Sequence, residues 1–381
     1  MDLAVLTVNA GSSSLKLDVV EGDDEAVASE RLPALGPHEL PAALEDFLAR
    51  VPAPDAAGHR VVHGGERLRA AARVDPDVRA ALDGAAELAP LHVPPALAAL
   101  DALARLRPDL PAVACLDTAF HSTLPAAAAT YALPAAWRER WPLRRFGFHG
   151  LSHAWVARRV PELLASSPSS LRIVSCHLGA GASLAAIADG RSVDTTMGFT
   201  PLEGLAMATR SGSVDPGLVL WLQRRGGLSA TAVEQGLERE GGLLGLSRRS
   251  ADMRAVIEGA DAGDEHCRLA LDVYLHRLRA GIAAMAAALG GVDALAFTGG
   301  VGEASPRIRA DAVAGLGFLG LSVDLAANAA AHGGAEGDAE PGVERRARDA
   351  VVSPAGARSA VLVVEAREEL QMASEVLALL R

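Results

Sequence analysis

A chain of 381 residues is long for one core and comfortable for two domains, and with half its residues apolar but only 3% aromatic, alanine and branched aliphatics must fill the interior. The formal net charge of −11 argues against a nucleic-acid backbone or an anionic membrane as the main partner. Cys115, Cys176 and Cys267 are odd in number, widely spaced and in no CxxC pair, which excludes a disulfide framework or zinc knuckle and fits a reduced cytosol.

In chain order, Met1-Asp2 leads straight into a strand at Leu3–Val8, with no basic n-region or cleavage site, so a soluble cytoplasmic protein without a signal peptide is expected. A hairpin loop, Asn9-Ala10-Gly11-Ser12-Ser13-Ser14, joins it to a second, alternating strand at Leu15–Val19. Lys16 is the single lysine of the chain, and Asn9 is one of two asparagines, the other being Asn328. A Gly-Ser loop of this kind offers backbone N–H groups and hydroxyls with little bulk, which suits phosphate oxygens, although it also reads as an ordinary turn. Further strands are expected at Gly58–Val62, Ala112–Leu116, Leu171–Cys176, Ser183–Ala188, Ala294–Thr298 and Ala360–Val364. Helical periodicity marks Pro76–Leu88, Pro94–Leu106, Ala154–Leu164, Pro216–Arg225, Ala251–Glu258, Asp264–Leu289 and Glu368–Leu380. The most apolar helix, around Gly281–Leu289, is too short and too closely flanked by charge to span a bilayer. Ala326–Asp349, rich in alanine, glycine and charge, reads as a mobile surface excursion.

Strands alternating with helices indicate an α/β protein. The strand–loop–strand of Val5–Val19 recurs at Ile173–Ile187, with His177-Leu178-Gly179-Ala180-Gly181 as the loop, so two similar domains around a cleft are expected. A third glycine run, Thr298–Glu303, follows a strand and precedes a helix beginning near Pro306; a helix N-terminus behind such a loop suits an anion or a flat ligand.

Polar residues then gather where packing alone would not require them. Gly58–Gly65 ends a strand with Arg60, His63 and two glycines. Asp117 follows a buried strand, at the carboxyl end where open α/β sheets place ligands. Arg144–His153 is a basic, aromatic turn into a helix, and Asp194–Gly204 leads to Thr209-Arg210-Ser211-Gly212. Structural alternatives stand beside each: Asp117 as a helix cap, His153 as a helix-face residue, Arg144-Arg145 as a solvated pair, Asp252-Met253-Arg254 as an ordinary first helical turn.

Taken together, the AGSSSLK loop, HRVVHGG, LAPLH, DTAFH, FGFHGLSH, TPLEG and TRSG resemble the acetate kinase family, from residue 4 to about residue 320 and again at Glu368-Glu369-Leu370. The resemblance implies a duplicated actin-like ATPase (ribonuclease H-like) fold. Its domains would be 1–119 with 370–381, and 120–369. It implies magnesium- or manganese-dependent phosphoryl transfer from ATP to acetate in a homodimer, with no nucleic-acid or membrane partner. By similarity, the catalytic set is Asn9, Arg60, Asp117, His149 and Arg210, with metal held by Asn9, Asp117 and Glu368. Ser12, Ser14, Lys16, His177, Gly179 and Gly181 would lie at the phosphates, and Asp252, Met253, Arg254, Gly300, Val301 and Gly302 at the adenosine. Arg60, Val62, Leu91, Phe148 and Pro201 would form the acyl pocket, with His92 in support. Propionate or another short acid as acceptor, pyrophosphate as donor, and a non-catalytic regulator on the same fold are the alternatives. Ala180, Ala304 and Val93 stand where this family usually has asparagine, and Arg367 stands where Asn or Asp usually precedes Glu368; a weakened ATP contact and competition for the metal carboxylate are the expected consequences.

Overall fold

The computed structural model describes residues 3–11, 14–22, 25–90, 92–331 and 349–381. These divide into two compact units, Met1–Ser122 with Phe148–Trp155 and Arg367–Arg381, and Thr123–Gly147 with Val156–Ala366. The segment Phe148–Trp155, placed by the sequence reading in the second domain, belongs to the first unit.

In the first unit, six strands form one sheet: β1 (Ala4–Ala10), β2 (Ser14–Glu21), β3 (Glu25–Pro33), β4 (Ala56–Val61), β5 (Ala72–Arg73) and β6 (Ala112–Leu116). Their order is β3-β2-β1-β4-β6-β5. Alternation sends Leu6, Val8, Leu15, Leu17 and Val19 to one face, where they pack with Leu44 and Phe47 of the helix Leu40–Leu48 and Ala99 and Leu103 of the helix Val93–Leu106. The opposite face receives the C-terminal helix Glu368–Leu380, whose Val376 side chain would lie 2.9 Å from a Cβ at residue 58, so this position accepts only glycine without a shift.

The second sheet contains β7 (Arg172–Leu178), β8 (Ala182–Ala188), β9 (Arg191–Thr195), β10 (Ala294–Thr298), β11 (Ala350–Val351) and β12 (Ala360–Val363). Against it runs the long helix Glu265–Ala288, capped by Asp264, which accepts from the His266 and Cys267 amides. Its buried stripe includes Leu271, Tyr274, Leu275, Leu278, Ile282 and Met285, as the periodicity predicts; Leu289 is its C-cap.

The repeat inferred from two loops extends through both sheets. Read from its other edge, the second sheet runs β9-β8-β7-β10-β12-β11, and each neighbour matches the first in direction. Even the irregularity repeats. The β2–β3 register shifts after Val19, four residues past Leu15 of the last hairpin pair, and β8–β9 shifts after Ala186, four past Ala182 of its own.

Several expectations are corrected. The glycine run after β10 is itself helical over Gly299–Ala304, with a second helix at Pro306–Ala314, because Gly299 takes a φ of +78° that lets the chain turn at once. The Ala326–Asp349 excursion has anchored ends: Leu325–Ala330 is a helix with Asn328 buried, and Asp349 accepts from Arg159 Nε at 2.6 Å. Residues 332–348 of that stretch lie outside the described residues. The helices Leu40–Leu48 and Ala230–Arg239 and the strands β3, β5, β9 and β11 were not anticipated. Among the described residues no helix is long and apolar enough to cross a membrane.

His59 lies on the inner face of β4, 1% exposed, with neither ring nitrogen hydrogen-bonded. Burial lowers His59 and His63 from the ordinary 6.5 to about 4. Between those values the unfolded chain binds protons that the fold does not. Stability is therefore complete above about pH 6.5 and lost as pH falls toward 4, by an amount on the order of 3 kcal/mol for His59. The urea midpoint should drop between about pH 7.5 and about pH 5, and His59→Leu should show a smaller drop over the same interval. An equal drop in the variant would assign the acid sensitivity elsewhere.

Candidate active site

Three parallel strands of the first unit deliver polar side chains to their carboxyl ends. Asn9 is near the end of β1, Arg60 near the end of β4, and Asp117 follows β6; Glu368 opens the C-terminal helix. Arg60 donates to Asp117 from Nη2 at 2.7 Å and from Nε at 3.2 Å, a forked contact with a carboxylate only 1% exposed. Its Nη1 lies 3.3 Å from Glu368 Oε2 and donates to Asn9 Oδ1 at 3.4 Å, while Asn9 Nδ2 donates to Glu368 Oε2 at 3.4 Å. The four side chains form one network.

Burial works against the charge on Arg60, but the Asp117 and Glu368 carboxylates outweigh it and raise the guanidinium above its ordinary value. Burial raises Asp117 in turn, while Arg60 lowers it. These directions conflict over the shared proton. The fork decides for the ion pair, since a protonated carboxyl would surrender an acceptor to Arg60.

The FGFHG turn closes on the same loop. Gly150 N donates to the Asp117 carbonyl at 2.9 Å, and a Cβ at residue 150 would fall 2.1 Å from that oxygen. Asp117 also accepts from the Leu151 amide, so the helix-cap reading of this residue describes part of its work. Held there, His149 adopts a φ of +56°, a left-handed conformation that costs a non-glycine residue of order 1 kcal/mol or more. Phe148 is buried, edge-on to His63 at 5.5 Å, and its carbonyl lies 3.0 Å from His121 Nε2. His153 is fully buried on the helix that follows.

Lys16 pairs in register with Asn9 across the β1–β2 hairpin, so the two share a sheet face. Gly11 N closes the turn onto the Ser14 carbonyl at 2.9 Å. Val62 follows β4 half-buried, and His92 is the N-cap residue of the helix Val93–Leu106. Ser12 and Leu91 lie outside the described residues.

The second unit gathers its glycines likewise. Gly179 N donates to the Gly181 carbonyl at 2.9 Å, and His177 pairs in register with Thr298 at the end of β10. Gly299 sits so close to Leu178 that a Cβ would come 2.9 Å from its carbonyl, which brings the helix bearing Gly300, Val301 and Gly302 against the hairpin. Gly300 is exposed, with open space where a side chain would stand. Ala180 is exposed too, and its carbonyl accepts from Ala208 N at 3.1 Å.

Arg210 Nη1 donates to the Pro201 carbonyl at 3.3 Å, and its Nε lies 3.3 Å from Glu238 Oε2. Burial lowers Arg210, opposed by Glu238. Asp252 caps the helix Met253–Asp261 by accepting from Arg254 N at 2.8 Å, and Met253 is buried, which is what the first-turn reading describes.

Two features escaped the sequence reading. Arg145, expected in a solvated pair, is half-buried and donates to Glu203 at 2.7 Å and to the carbonyls of Thr196 and Met197. Arg309 is fully buried and holds the Gly302 and Glu303 carbonyls and both oxygens of Asn328. Desolvation lowers this guanidinium to about 10. The signal was available: Asn328 is the second of two asparagines in the chain.

The model of the acetokinase family matches residues 49–374. The chain belongs to the acetokinase family. It is 47% identical to an acetate kinase of Gloeobacter violaceus, over 84% of this chain and 75% of that protein, and 41% identical to one of Streptomyces coelicolor, over 98% and 96%. An acetate kinase of Porphyromonas gingivalis superposes with a TM-score of 0.87 at 32% identity, covering 99% and 100% of the two chains. A propionate kinase from Francisella tularensis gives 0.85 at 30%, covering 98% of each. The fold of this family is the duplicated, two-domain actin-like architecture expected from the sequence, and the two matching sheets agree with it.

Within this family member the Arg60–Asp117 pair can be tested on stability alone. Arg60→Met should cost about 3–5 kcal/mol at neutral pH by leaving the Asp117 carboxylate buried without its cation, and adding Asp117→Leu should recover part of that loss. Denaturant titration of the four proteins of the cycle gives the coupling; additive losses would mean that the pair is not coupled.

Proposed function

We propose that the protein is an acetate kinase, a phosphotransferase moving the γ-phosphoryl group of ATP to the carboxylate of acetate, reversibly and by direct in-line transfer. The observation that carries this reading is the network of Asn9, Arg60, Asp117 and Glu368 at the carboxyl ends of β1, β4 and β6, in a member of the acetokinase family. Acetate is already ionised at neutral pH, so the reaction needs no general base. It needs placement and neutralisation of charge on the transferring group. Arg60 and Arg210 clamp the acetate carboxylate and the phosphoryl group, a task for a planar fork of donors. His149 donates a hydrogen bond to the group in transfer, and Asn9 contributes an uncharged amide. Val62, Leu91, Phe148 and Pro201 receive the methyl group.

Asn9, Asp117 and Glu368 offer two carboxylates and an amide oxygen, which fits magnesium or manganese, hard ions that keep several waters and take one or two carboxylates beside phosphate oxygens. Among the described residues no group of three or more His, Cys, Asp or Glu side chains is placed to hold a metal without such help. When bound, the ion supplies charge neutralisation at the phosphates. Arg60 occupies both carboxylates here, so its guanidinium must turn from them toward substrate as the site fills.

ATP is taken by Ser12, Ser14, Lys16, His177, Gly179 and Gly181 at its phosphates, and by Gly300–Gly302 with Asp252, Met253 and Arg254 at its adenosine. Propionate is a second acceptor of the same pocket, because one methylene is worth only about 1–3 kcal/mol there, and the propionate kinase of similar fold supports that range. We place the reaction in the cytoplasm, where three unpaired cysteines are at home.

Hydroxamate trapping with magnesium–ATP should give acyl phosphate from acetate several-fold more efficiently than from propionate or butyrate. Arg60→Ala and Arg210→Ala should each lower turnover by about 10³ or more. Turnover within about tenfold of the parent would remove that arginine from the proposed clamp. No acyl phosphate from any acid, with pyrophosphate also failing as donor, would return the chain to the nucleotide-binding regulator.

A homodimer is proposed as well. The helix Pro216–Arg224 buries none of its residues, leaving Leu218, Leu220 and Trp221 46%, 48% and 57% exposed. Such a face suits a second copy of the chain. Light scattering should report a dimer that Leu218→Glu with Trp221→Glu converts to monomer; a parent monomer would sink the assignment.

A further inference from the structure

The TPLEG segment contains an acid, Glu203, that the proposed chemistry does not use. Its Oε1 accepts from Arg145 Nη2 at 2.7 Å, and its Oε2 accepts from the Tyr131 hydroxyl at 2.5 Å. The tyrosine oxygen in turn accepts from the Phe199 amide at 2.9 Å. Arg145 Nη1 donates to the carbonyls of Thr196 and Met197 at 3.1 and 3.0 Å, and the Phe146 amide donates to the Gly198 carbonyl at 3.0 Å. Every residue of this set belongs to the second unit.

The contacts converge on one loop. Thr196, Met197, Gly198, Phe199 and Glu203 are each tied to Tyr131, Arg145 or Phe146. A Cβ at residue 198 would stand 1.7 Å from Glu203 Oε2 and 2.1 Å from the Tyr131 oxygen, so the acid and the phenol lie directly over that glycine's backbone. Burial and the Glu203 hydrogen bond raise the Tyr131 phenol well above its ordinary value, so it keeps the proton it donates. Between the tethered points is Pro201, whose carbonyl accepts from Arg210. Fixing the loop therefore fixes one of the acceptors that orient the Arg210 guanidinium.

We propose that Tyr131, Arg145 and Glu203 are positioning residues, a clamp that sets the placement of Pro201 and Arg210 and thereby the affinity for the carboxylate substrate and its preferred chain length. This rests on the proposed carboxylate kinase activity. A carboxylate shared between a guanidinium N–H and a phenol is stiffer than either contact alone, and a displacement of a few tenths of an ångström at a pocket wall is what separates two acids differing by one methylene.

The test uses Tyr131→Phe, which removes a single oxygen, and Glu203→Gln, which keeps the shape while removing the charge. Hydrogen exchange should accelerate at the amides of Thr196–Glu203 in Tyr131→Phe with little change elsewhere. The KM for acetate should rise about five- to tenfold and the acetate-to-propionate ratio should fall, with the KM for ATP and the melting temperature nearly unchanged. Glu203→Gln should move the same quantities in the same direction. Unaltered exchange in both variants overturns the clamp. Faster exchange with an unchanged acetate KM overturns its positioning role, as does an equal loss of all kinetic constants with a lowered melting temperature. A parent protein that makes no acyl phosphate refutes the activity instead, and exchange in the variants then decides whether the clamp orders the loop.

Discussion

Withdrawing a guanidinium and a carboxylate from water costs several kcal/mol for each ion, and the forked Arg60–Asp117 contact has to recover that cost inside the first unit. It can do so only if β4 and β6 end side by side, with Arg60 level with Cys115 and Asp117 just beyond. Asn9 on the neighbouring strand and Glu368 on the last helix then satisfy what the fork leaves over. Sheet order, the docking of the C-terminal helix and the strained His149 turn all meet at this ion pair. The groups proposed to handle phosphate are thereby held before any substrate arrives, and rearranging them means trading one set of charge-assisted bonds for another.

The duplication sharpens the contrast between the halves. By register, Asn9 corresponds to His177, Arg60 to Thr298 and Asp117 to Ala366. Where the first unit carries an ion pair, the second has a histidine, a buried threonine hydroxyl without a hydrogen-bond partner, and an alanine. One topology thus supports an ion-pair cluster at the strand ends of one copy and, in the other, a glycine-lined turn closed by the Glu303 carboxylate on the Gly299 and Ala366 amides.

Much of this was legible in the chain because the signals are local. Strand–loop–strand patterns, charged residues at strand ends and the apolar stripe of Glu265–Ala288 need only short windows. The Arg145–Glu203 contact joins residues 58 apart, and no periodicity announces which acid a given arginine will find. Arg145 looked solvated because its neighbour is also an arginine, yet its partners come from a loop that folds back over it. Short edge strands such as β5 and β11, two residues each, exist through pairing with β6 and β12 rather than through their own pattern. The Gly299–Ala304 helix was missed because glycines that permit a tight turn also read as loop.

Scarcity of one residue type has a practical side. With Lys16 the sole side-chain amine in these 381 residues, amine-directed acylation among them addresses the hairpin opposite Asn9. A fluorophore or mass label placed by ordinary chemistry, with no engineered cysteine, would sit on the sheet face shared with Asn9, making the native chain its own reporter on the carboxyl end of β1.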